Sequence, residues 1–410
     1  MNIAIFSESY KPYVNGVSVS VTTFTEQLRN HGDTVHIFAP YMPDYEDEDP
    51  LVTRYPSVRF KSRWLQYEPE YTMALGRFPG LQWILRIGFG ATVYRLNTRR
   101  ALDDMLGRLD IDLIHTQSPF AMGAEGRRWA KRRGVPLVTT FHTLYTEYTH
   151  YTPFIPRWIS LPSILRWTRM NCNAADRIIA PTEAARDVLA SWGVTQPVSI
   201  LATGIRTAMF RGGDRAGIRE RWGIPDGSLV LLYAGRVAPE KNIPLLLDVL
   251  ENVAASYPDI VLLFAGGGPD LAPTEAAANQ RGLGDRVRFA GYAKREEMRD
   301  YYAAADILAF PSFTETQGLV LCEAMAAGLP FVAVESPGAR SVLPEGYERY
   351  LIPNDASLMT QRVLELAGDA DKRRRLADLG RDSAERFSEE GAGERLREIY
   401  ADVIAEKRGR

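Results

Sequence analysis

The sequence contains few cysteines and no long apolar run. Its two cysteines, Cys172 and Cys322, are widely separated and match no metal-ligand or redox spacing, so we expect two small buried side chains in a reducing compartment. No stretch reaches the roughly 18 consecutive apolar residues of a membrane-spanning helix. The first eight residues are too few for a secretory signal and are typical of a first β-strand. We therefore expect a cytoplasmic protein, and any contact with a membrane would be made from its surface, at the inner face.

A strong excess of charge of one sign is also missing. The 49 Lys and Arg residues nearly balance the 51 Asp and Glu residues, and the formal net charge of −2 gives no general reason to expect a nucleic acid partner. The acids between Asp44 and Asp49 are expected to form a solvated turn rather than a metal site. We expect no metal and no other cofactor.

Strand-like and helix-like segments alternate along nearly the whole chain, which predicts an α/β protein with parallel sheets. A chain of 410 residues is long enough for two domains. We expect them over 1–203 and 204–385, joined through a glycine-rich stretch within 203–217, with a helix over 386–410 that could return to the N-terminal domain. The predicted strands are Ile3–Phe6, Thr34–Ala39, Ile111–His115, Pro136–Phe141, Arg177–Ala180, Val198–Leu201, Leu229–Ala234, Ile260–Ala265, Val287–Ala290, Ile307–Phe310 and Phe331–Val334.

The segment from Phe313 to Pro330 carries the most chemical information. It follows a predicted buried strand, and its composition predicts a helix that opens near Gln317 and ends at Gly328. The amides of a helix N-terminus beside Gly318 would suit the diphosphate of a nucleotide. Ligands of open parallel sheets bind beyond the carboxyl ends of strands, so this position is a natural one for a ligand.

Two acids flank this helix start. Glu315 precedes the helix and Glu323 lies about two turns into it, a separation of about 10 Å. That distance suits a nucleotide sugar, with one carboxylate on hydroxyls of the sugar and the other on the ribose diol. As an isolated pair, the acids could equally be a helix-start charge and part of a solvated face.

Two further strand ends carry cations and glycines. Arg236 and Lys241 follow one predicted strand, and both could reach one diphosphate, where their charge would stabilise a leaving group. Gly266 opens a glycine run after the next strand, where a ligand could approach the backbone closely. Without their context, the cations could be surface residues and the glycines an ordinary turn.

These strings together resemble retaining family-4 glycosyltransferases of the GT-B fold. Glu315 and Glu323 match the family's E-x7-E signature, and Arg236 and Lys241 match its G-R-x4-K segment. The resemblance implies two Rossmann-like parallel-sheet domains facing across a cleft, no donor-bound metal, and transfer with retained anomeric configuration. The implied catalytic residues are His142, Arg236, Lys241 and Glu315; the implied donor-binding residues are Gly16, Gly235, Gly266, Tyr292, Lys294, Thr316, Gln317, Gly318, Leu319 and Glu323; and the implied acceptor-binding residues are Asn15, Tyr145 and Tyr148.

The N-terminal half is expected to select the acceptor. Nine Lys and Arg residues against two acids lie between Arg54 and Arg100, and eight against one lie between Arg127 and Arg169. Both stretches also contain tryptophans, a combination typical of an interfacial helix on anionic lipid. The competing interpretation is that the apolar faces are core and the cations are solvated. The tyrosine-rich stretch 141–151 is similar to bacterial diacylglycerol glucosyltransferases.

We therefore expect transfer of a hexose, from UDP-glucose, to diacylglycerol or a glycolipid at an anionic membrane surface. One alternative is a GDP-mannose-dependent α-mannosyltransferase acting on phosphatidylinositol or another glycolipid, because the N-terminal S-E-S-x-x-P-x-x-N-G-V string is similar to phosphatidylinositol mannosyltransferases. Alternatives of another class are a nucleotide-sugar epimerase, which needs no acceptor, and a non-catalytic nucleotide-sugar-binding protein. The partners expected are a nucleotide sugar, a lipid or glycolipid acceptor and the membrane surface.

Overall fold

The computed structural model describes residues 1–13, 15–59, 72–74, 92–94, 99–142 and 157–409. The chain divides into two compact units. The first unit combines Met1–Gly204 with Glu389–Arg410, and the second unit is Ile205–Ser388.

The first unit is built on a seven-stranded parallel sheet with the strand order β10-β9-β8-β7-β1-β2-β3. Successive residues of β1, from Ile3 to Phe6, are fully buried, as expected for a parallel strand covered on both faces. A three-stranded antiparallel sheet, β5-β4-β6, accompanies it. The strands are β1 (Asn2–Phe6), β2 (Thr34–Pro40), β3 (Val52–Tyr55), β4 (Ser57–Arg59), β5 (Thr72–Ala74), β6 (Thr92–Tyr94), β7 (Leu113–Thr116), β8 (Leu137–Thr140), β9 (Arg177–Ala180) and β10 (Val198–Ile200).

The helices of the first unit include the last helix of the chain. Leu396 and Tyr400 of that helix share a buried cluster with Ile3 and Leu28, and Arg397 is paired with the buried Asp33 at 2.9 Å. The C-terminal helix is therefore an integral layer of the first unit. The helices are α1 (Gly16–Asn30), α2 (Arg99–Arg108), α3 (Ala121–Arg133), α4 (Arg157–Cys172), α5 (Glu183–Ser191) and, at the end of the chain, α14 (Glu389–Arg408).

The second unit has a six-stranded parallel sheet in the order β13-β12-β11-β14-β15-β16. Its strands are β11 (Val230–Ala234), β12 (Val261–Ala265), β13 (Val287–Phe289), β14 (Ile307–Phe310), β15 (Phe331–Val334) and β16 (Leu351–Ile352). Its helices are α6 (Arg215–Arg221), α7 (Pro244–Ala254), α8 (Leu271–Gln280), α9 (Met298–Ala304), α10 (Leu319–Ala327), α11 (Pro337–Val342), α12 (Ala356–Ala367) and α13 (Ala370–Ala384).

Both units are thus Rossmann-like, and the predicted α/β class with parallel sheets is confirmed. All the predicted strands exist, with ends that differ by at most two residues. The short strands β3 to β6 and β16 were not predicted, because segments of two to four residues carry little periodicity. No helix among the described residues is long and apolar enough to cross a membrane.

Several local expectations differ from the structure. Ile205 and Phe210 are buried in the core of the second unit, so most of the stretch predicted as a linker belongs to that unit. The C-terminal helix begins at Glu389, after a 3₁₀ turn, rather than at residue 386. The acids of 44–49 are not a simple solvated turn, because three of them form ion pairs with arginines: Asp44 with Arg59, Asp47 with Arg54 and Asp49 with Arg29.

Candidate active site

Four loops of the second unit follow the neighbouring strands β13, β12, β11 and β14. Because the carboxyl ends of parallel strands meet at the same edge of a sheet, these loops leave the sheet side by side. They are residues 290–294, 266–270, 235–242 and 311–318. The predicted donor residues of the second unit lie in these loops and in the helix that follows the last of them.

The loops after β11 and β12 are joined through their backbones. The amide of Gly235 donates to the carbonyl of Ala265 at 3.1 Å, and the amide of Val237 donates to that of Gly267 at 2.8 Å. Gly266 lies between these contacts with a φ of +158°, and a Cβ on it would come 1.8 Å from the carbonyl oxygen of Gly235. Only glycine fits there, because the backbones of the two loops pack closely against each other.

Arg236 is held from both its backbone and its side chain. The buried hydroxyl of Tyr233 donates to the carbonyl oxygen of Arg236 at 2.6 Å. The guanidinium forms an ion pair with Glu240, whose carboxylate is almost completely buried. Arg236 thus has a fixed position at the edge of the site, and a carboxylate of the same loop balances its charge.

Lys241 and Glu315 face each other from the loops after β11 and β14. The Lys241 ammonium donates to Oε1 of Glu315, and the hydroxyl of Ser312 donates to the same oxygen at 2.9 Å. Burial alone would raise the pKa of Glu315, but the Lys241 charge and the two hydrogen bonds hold it below its usual value. Glu315 is therefore an ionised carboxylate at neutral pH.

Helix α10 begins two residues later than predicted. Gly318 is its N-cap in the left-handed conformation, and Gly328 ends the helix with a φ of +74°, as predicted. Thr316 and Gln317 consequently lie in the turn before the helix, and Leu319 is its first residue. A helix N-terminus at this edge directs backbone N–H groups toward a ligand.

Glu323 lies in the second turn of α10 rather than two turns from its start. The hydroxyl of Tyr302 donates to Oε2 of Glu323 at 2.8 Å, and Arg295 is 3.7 Å from Oε1. Burial raises the pKa of Glu323, while Arg295 and the Tyr302 hydroxyl partly offset that effect. A buried carboxylate held from two sides suits recognition of a diol.

Tyr292 and Lys294 lie in the loop after β13, and both side chains are exposed. The Tyr292 ring packs against the backbone of Gly267, because a Cβ on Gly267 would come 2.6 Å from the ring. Tyr292 thus places an exposed aromatic ring at the edge of this group of loops, and aromatic rings can stack on planar groups.

In the first unit, His142 is the second residue after the end of β8. Its Nε2 lies 2.7 Å from the side-chain oxygen of Gln117, a residue that follows the neighbouring strand β7. Burial lowers the pKa of His142 to about 4, so the ring is neutral at physiological pH. Gln117 carries no local sequence signal, and the sequence did not identify it.

Comparisons with known proteins agree on one family. The model of Glycosyltransferase Family 4 matches residues 14–209, and that of Glycosyl transferases group 1 matches residues 214–383. A GDP-mannose-dependent α-mannosyltransferase of Mycobacterium tuberculosis is 30% identical over 86% of this chain and 84% of its own length. The chain belongs to the family-4 glycosyltransferases.

Two other relatives of this glycosyltransferase cover nearly all of it. An α-monoglucosyldiacylglycerol synthase of Streptococcus pneumoniae is 29% identical over 98% of this chain and 86% of its own length. The structure of HepE from Anabaena, in complex with UDP-glucose, aligns with a TM-score of 0.74 at 18% identity, covering 98% of this chain and 100% of its own. The fold of the glycosyltransferase is GT-B.

Three predicted acceptor residues and one predicted donor residue, Gly16, belong to the N-terminal half of the glycosyltransferase. Asn15 caps α1: its side-chain oxygen accepts from the amides of Val17 and Ser18 at 3.1 and 3.0 Å. Gly16, the first residue of that helix, is exposed. Tyr145 and Tyr148 lie outside the described residues.

The sequence also missed Glu8, which follows β1 in the first unit. Its two carboxylate oxygens accept hydrogen bonds from the backbone amides of Ala74 and Met122, at 2.9 and 3.0 Å. Burial raises the pKa of Glu8 to about 7, although these hydrogen bonds lower it. A buried carboxylate after the first strand of the glycosyltransferase is thus half-ionised near neutral pH.

Proposed function

We propose that this glycosyltransferase transfers glucose from UDP-glucose to diacylglycerol or a glycolipid, with retention of the anomeric configuration, at the cytoplasmic face of a membrane. The similarity to an α-monoglucosyldiacylglycerol synthase is the observation that carries the proposal, because it extends over 98% of the chain. It therefore includes the N-terminal half, where the acceptor residues are expected.

The donor phosphates would lie on Arg236, Lys241 and the N-terminus of α10. Arg236 and Lys241 are paired with Glu240 and Glu315, so ion pairs hold both cations at the site edge. Two positive charges there would stabilise the nucleoside diphosphate as the glycosidic bond breaks. No metal is part of the proposal, since these cations and the helix amides take its place.

The remaining donor contacts would be made by other residues at the same edge of the sheet. Glu315 would accept hydrogen bonds from hydroxyls of the transferred sugar, and Glu323 from the ribose diol. Tyr292 would stack on the base beside Lys294. We propose retention on the basis of the family resemblance, with departure and attack on one face and the leaving phosphate assisting the incoming hydroxyl.

The surface of α4 supports a lipid acceptor. Trp158 is 77% exposed and Met170 is 60% exposed, and the exposed Pro162, Arg166 and Arg169 share their face of the helix at spacings of three to four residues. The helix contains three arginines and no acid. Apolar tips among cations are typical of a helix that lies in the interface of an anionic bilayer.

A second candidate is mannosyl transfer from GDP-mannose, which the similarity to the mycobacterial α-mannosyltransferase favours. The donors of the two candidates differ in their base and in their sugar. A donor screen separates them: UDP-glucose and GDP-mannose are each offered with vesicles containing diacylglycerol or phosphatidylinositol, and labelled lipid and released nucleoside diphosphate are measured.

The proposal expects labelled glucolipid from UDP-glucose and diacylglycerol. Labelled mannolipid from GDP-mannose, with no glucolipid from UDP-glucose, would establish the second candidate instead. Conversion of the donor to another nucleotide sugar without any acceptor would indicate an epimerase. Glycosylation of added soluble sugars, with no labelled lipid, would overturn the lipid acceptor.

The membrane contact has its own test in vesicle sedimentation with anionic and neutral lipid. Trp158→Ser and Arg166→Ser are each expected to weaken binding to anionic vesicles by about tenfold. Leu379→Ser is the matched control, because Leu379 is a 44% exposed apolar side chain of the second unit. Equal binding of all three variants would remove α4 from the proposal.

A further inference from the structure

Asn242 follows Lys241 directly and has an unusual backbone conformation. Its φ of +57° and ψ of +39° lie in the left-handed region, and in the described part of the chain it is the one residue other than glycine with a positive φ. Asparagine adopts this conformation more readily than most side chains. Asn242 ends the 3₁₀ turn Pro239–Lys241 and lies two residues before α7, so its backbone sets the direction of the turn that carries Lys241.

The side chain of Asn242 joins the loop after β11 to the loop after β14. Its Nδ2 donates to the carbonyl of Pro311 at 3.2 Å and to Oδ1 of Asn354 at 2.9 Å. Pro311 is buried and is the first residue after β14, whereas Asn354 is exposed. A carbonyl oxygen only accepts hydrogen bonds, so the contact with Pro311 requires the amide nitrogen on that side. The amide of Asn242 therefore bridges the two loops at the position next to Lys241.

The residue on each side of Lys241 contacts the loop after β14. On one side, the carbonyl of Glu240 accepts from the hydroxyl of Thr314 at 3.3 Å, and on the other side is the hydrogen bond from Asn242. Lys241 itself pairs with Glu315, and both of these side chains are partly buried. The attraction between partly buried charges depends strongly on their separation. The spacing of the two loops therefore determines the strength of the ion pair.

We propose that Asn242 is the positioning residue of the Lys241–Glu315 pair: its left-handed backbone turns Lys241 toward the loop after β14, and its amide holds the two loops together. The inference rests on the proposed function, which assigns Lys241 to the donor phosphate and Glu315 to the transferred sugar. It adds that a residue with no donor contact of its own sets the spacing between these two groups. Loss of the Asn242 amide should affect transfer through the pair.

The ion pair can be observed without donor through the pKa of Glu315. The Lys241 charge lowers that pKa, so a looser pair raises it. Carboxyl ¹³C signals of labelled glutamate, followed as a function of pH, report the pKa, and the Glu315→Gln variant assigns the signal. Asn242→Gly keeps the left-handed backbone without strain and removes the amide, and we expect it to shift the pKa of Glu315 upward. An unchanged pKa in this variant would overturn the proposal.

Two asparagines of the same unit provide comparisons for the loss of an amide. Asn354→Ala removes only the exposed partner of Asn242, and it should leave kcat within about twofold of the wild type. Asn252→Ala is the matched control, because its amide lies 3.5 Å from the hydroxyl of Thr360 and joins two helices instead of the two loops. We expect neither variant to shift the pKa of Glu315. A shift as large in Asn252→Ala as in Asn242→Gly would overturn the specific role of Asn242.

Kinetics test the consequence for transfer. Asn242→Gly is expected to lower kcat by about tenfold, with a smaller effect on the donor KM, because the charge at the leaving phosphate is displaced rather than removed. In a Lys241→Ala background the same change should lower kcat by less than about twofold, since it acts through that side chain. A tenfold loss in both backgrounds would show a merely structural role and would overturn the proposal.

Asn242→Asp separates the amide from backbone freedom. Aspartate keeps the length of the side chain and tolerates the left-handed conformation, but its ionised carboxylate cannot donate to the Pro311 carbonyl. We expect kcat to fall by about tenfold or more in this variant as well. A wild-type kcat in Asn242→Asp would assign the effect of Asn242→Gly to backbone freedom and would overturn the role of the amide.

The inference and the proposed function fail separately. A raised pKa of Glu315 in Asn242→Gly with an unchanged kcat would show that Asn242 positions the pair but that the pair has no role in transfer, which overturns the assignment in the proposed function. An unchanged pKa with a lowered kcat would show that Asn242 affects transfer by another route, which overturns the inference alone.

Discussion

Lys241 and Glu315 form an ion pair although they are 74 positions apart in the chain. Each follows a strand of the second-unit sheet, and β11 and β14 are neighbours in that sheet. The pair places a cation and a carboxylate at one edge, each partly buried, and the proposed function assigns them to different parts of a nucleotide sugar. Its removal should therefore affect catalysis more than stability.

Lys241→Ala is expected to lower kcat by about 100-fold or more, because a charge that stabilises the leaving phosphate is lost. Glu315→Gln should also be impaired, and the double variant should be less impaired than the product of the single effects, since the two side chains contact each other. Steady-state kinetics of the four proteins measure this. Arg340→Met, which breaks an exposed ion pair with Glu335 in the same unit, is the control and should leave kcat unchanged.

Tyr302→Phe removes the hydroxyl that donates to Glu323. That hydrogen bond favours the ionised carboxylate, so its loss should raise the pKa of Glu323 further above its usual value. The donor KM should then rise by about tenfold at neutral pH, and it should begin to rise at a higher pH than in the wild type as the pH falls. Tyr301→Phe, on the same helix, is the comparison. A donor KM with wild-type pH dependence would contradict the assignment of Glu323 to the ribose.

Gly266→Ala tests the packing of the loops after β11 and β12. A Cβ at Gly266 would overlap the Gly235 carbonyl at 1.8 Å, whereas a Cβ at Gly282 meets nothing within 4 Å despite a φ of +70°. Gly282→Ala should therefore cost only about 1–2 kcal/mol of backbone strain. Gly266→Ala should cost about 3 kcal/mol or more, or displace the loop and weaken donor binding. Chemical unfolding and donor titration measure the two effects, and equal losses for both variants would refute the close-packing account.

Glu8 predicts a pH dependence of stability. Its folded pKa of about 7 lies above the usual 4.5, so between these values the unfolded chain has lost a proton that the folded chain still holds. The free energy of unfolding should therefore fall as the pH rises from about 4.5 to 7, by about 3 kcal/mol from this group. The Glu8→Gln variant lacks this decrease, so its stability relative to the wild type should increase from pH 5 to pH 8.

Urea unfolding at the two pH values measures that change. The exposed Glu390→Gln variant of the same unit gives the baseline for losing one carboxylate. The hydrogen bond lost in Glu8→Gln is a constant offset and does not affect the difference between pH values. A pH-independent difference would show that the Glu8 carboxylate titrates as it does in the unfolded chain.

The sequence could place the proposed donor residues at one edge of the sheet because they lie immediately after strands. Once β11 and β14 are recognised as parallel strands, Lys241 and Glu315 are brought to one edge by the topology alone. Gln117 and Tyr400 were not predictable in this way. Gln117 carries no local sequence signal, and the contact of Tyr400 with His115 depends on how α14 packs against the first unit, since the two residues are 285 positions apart. The ion pair between Arg236 and Glu240 was likewise not predictable, because sequence spacing does not determine which of several carboxylates an arginine contacts.

The return of α14 to the first unit has a consequence for the order of synthesis. Helix α14 completes a cluster that begins with Ile3, through Leu396, Ile399, Tyr400 and Val403. The first unit therefore cannot bury that cluster until α14 has been translated. The second unit, Ile205–Ser388, is continuous in sequence and can fold as soon as it leaves the ribosome. The domain that begins the chain is thus expected to be the last to reach its native core, and a nascent chain stalled before residue 389 should expose it to proteolysis while the second unit is already protected.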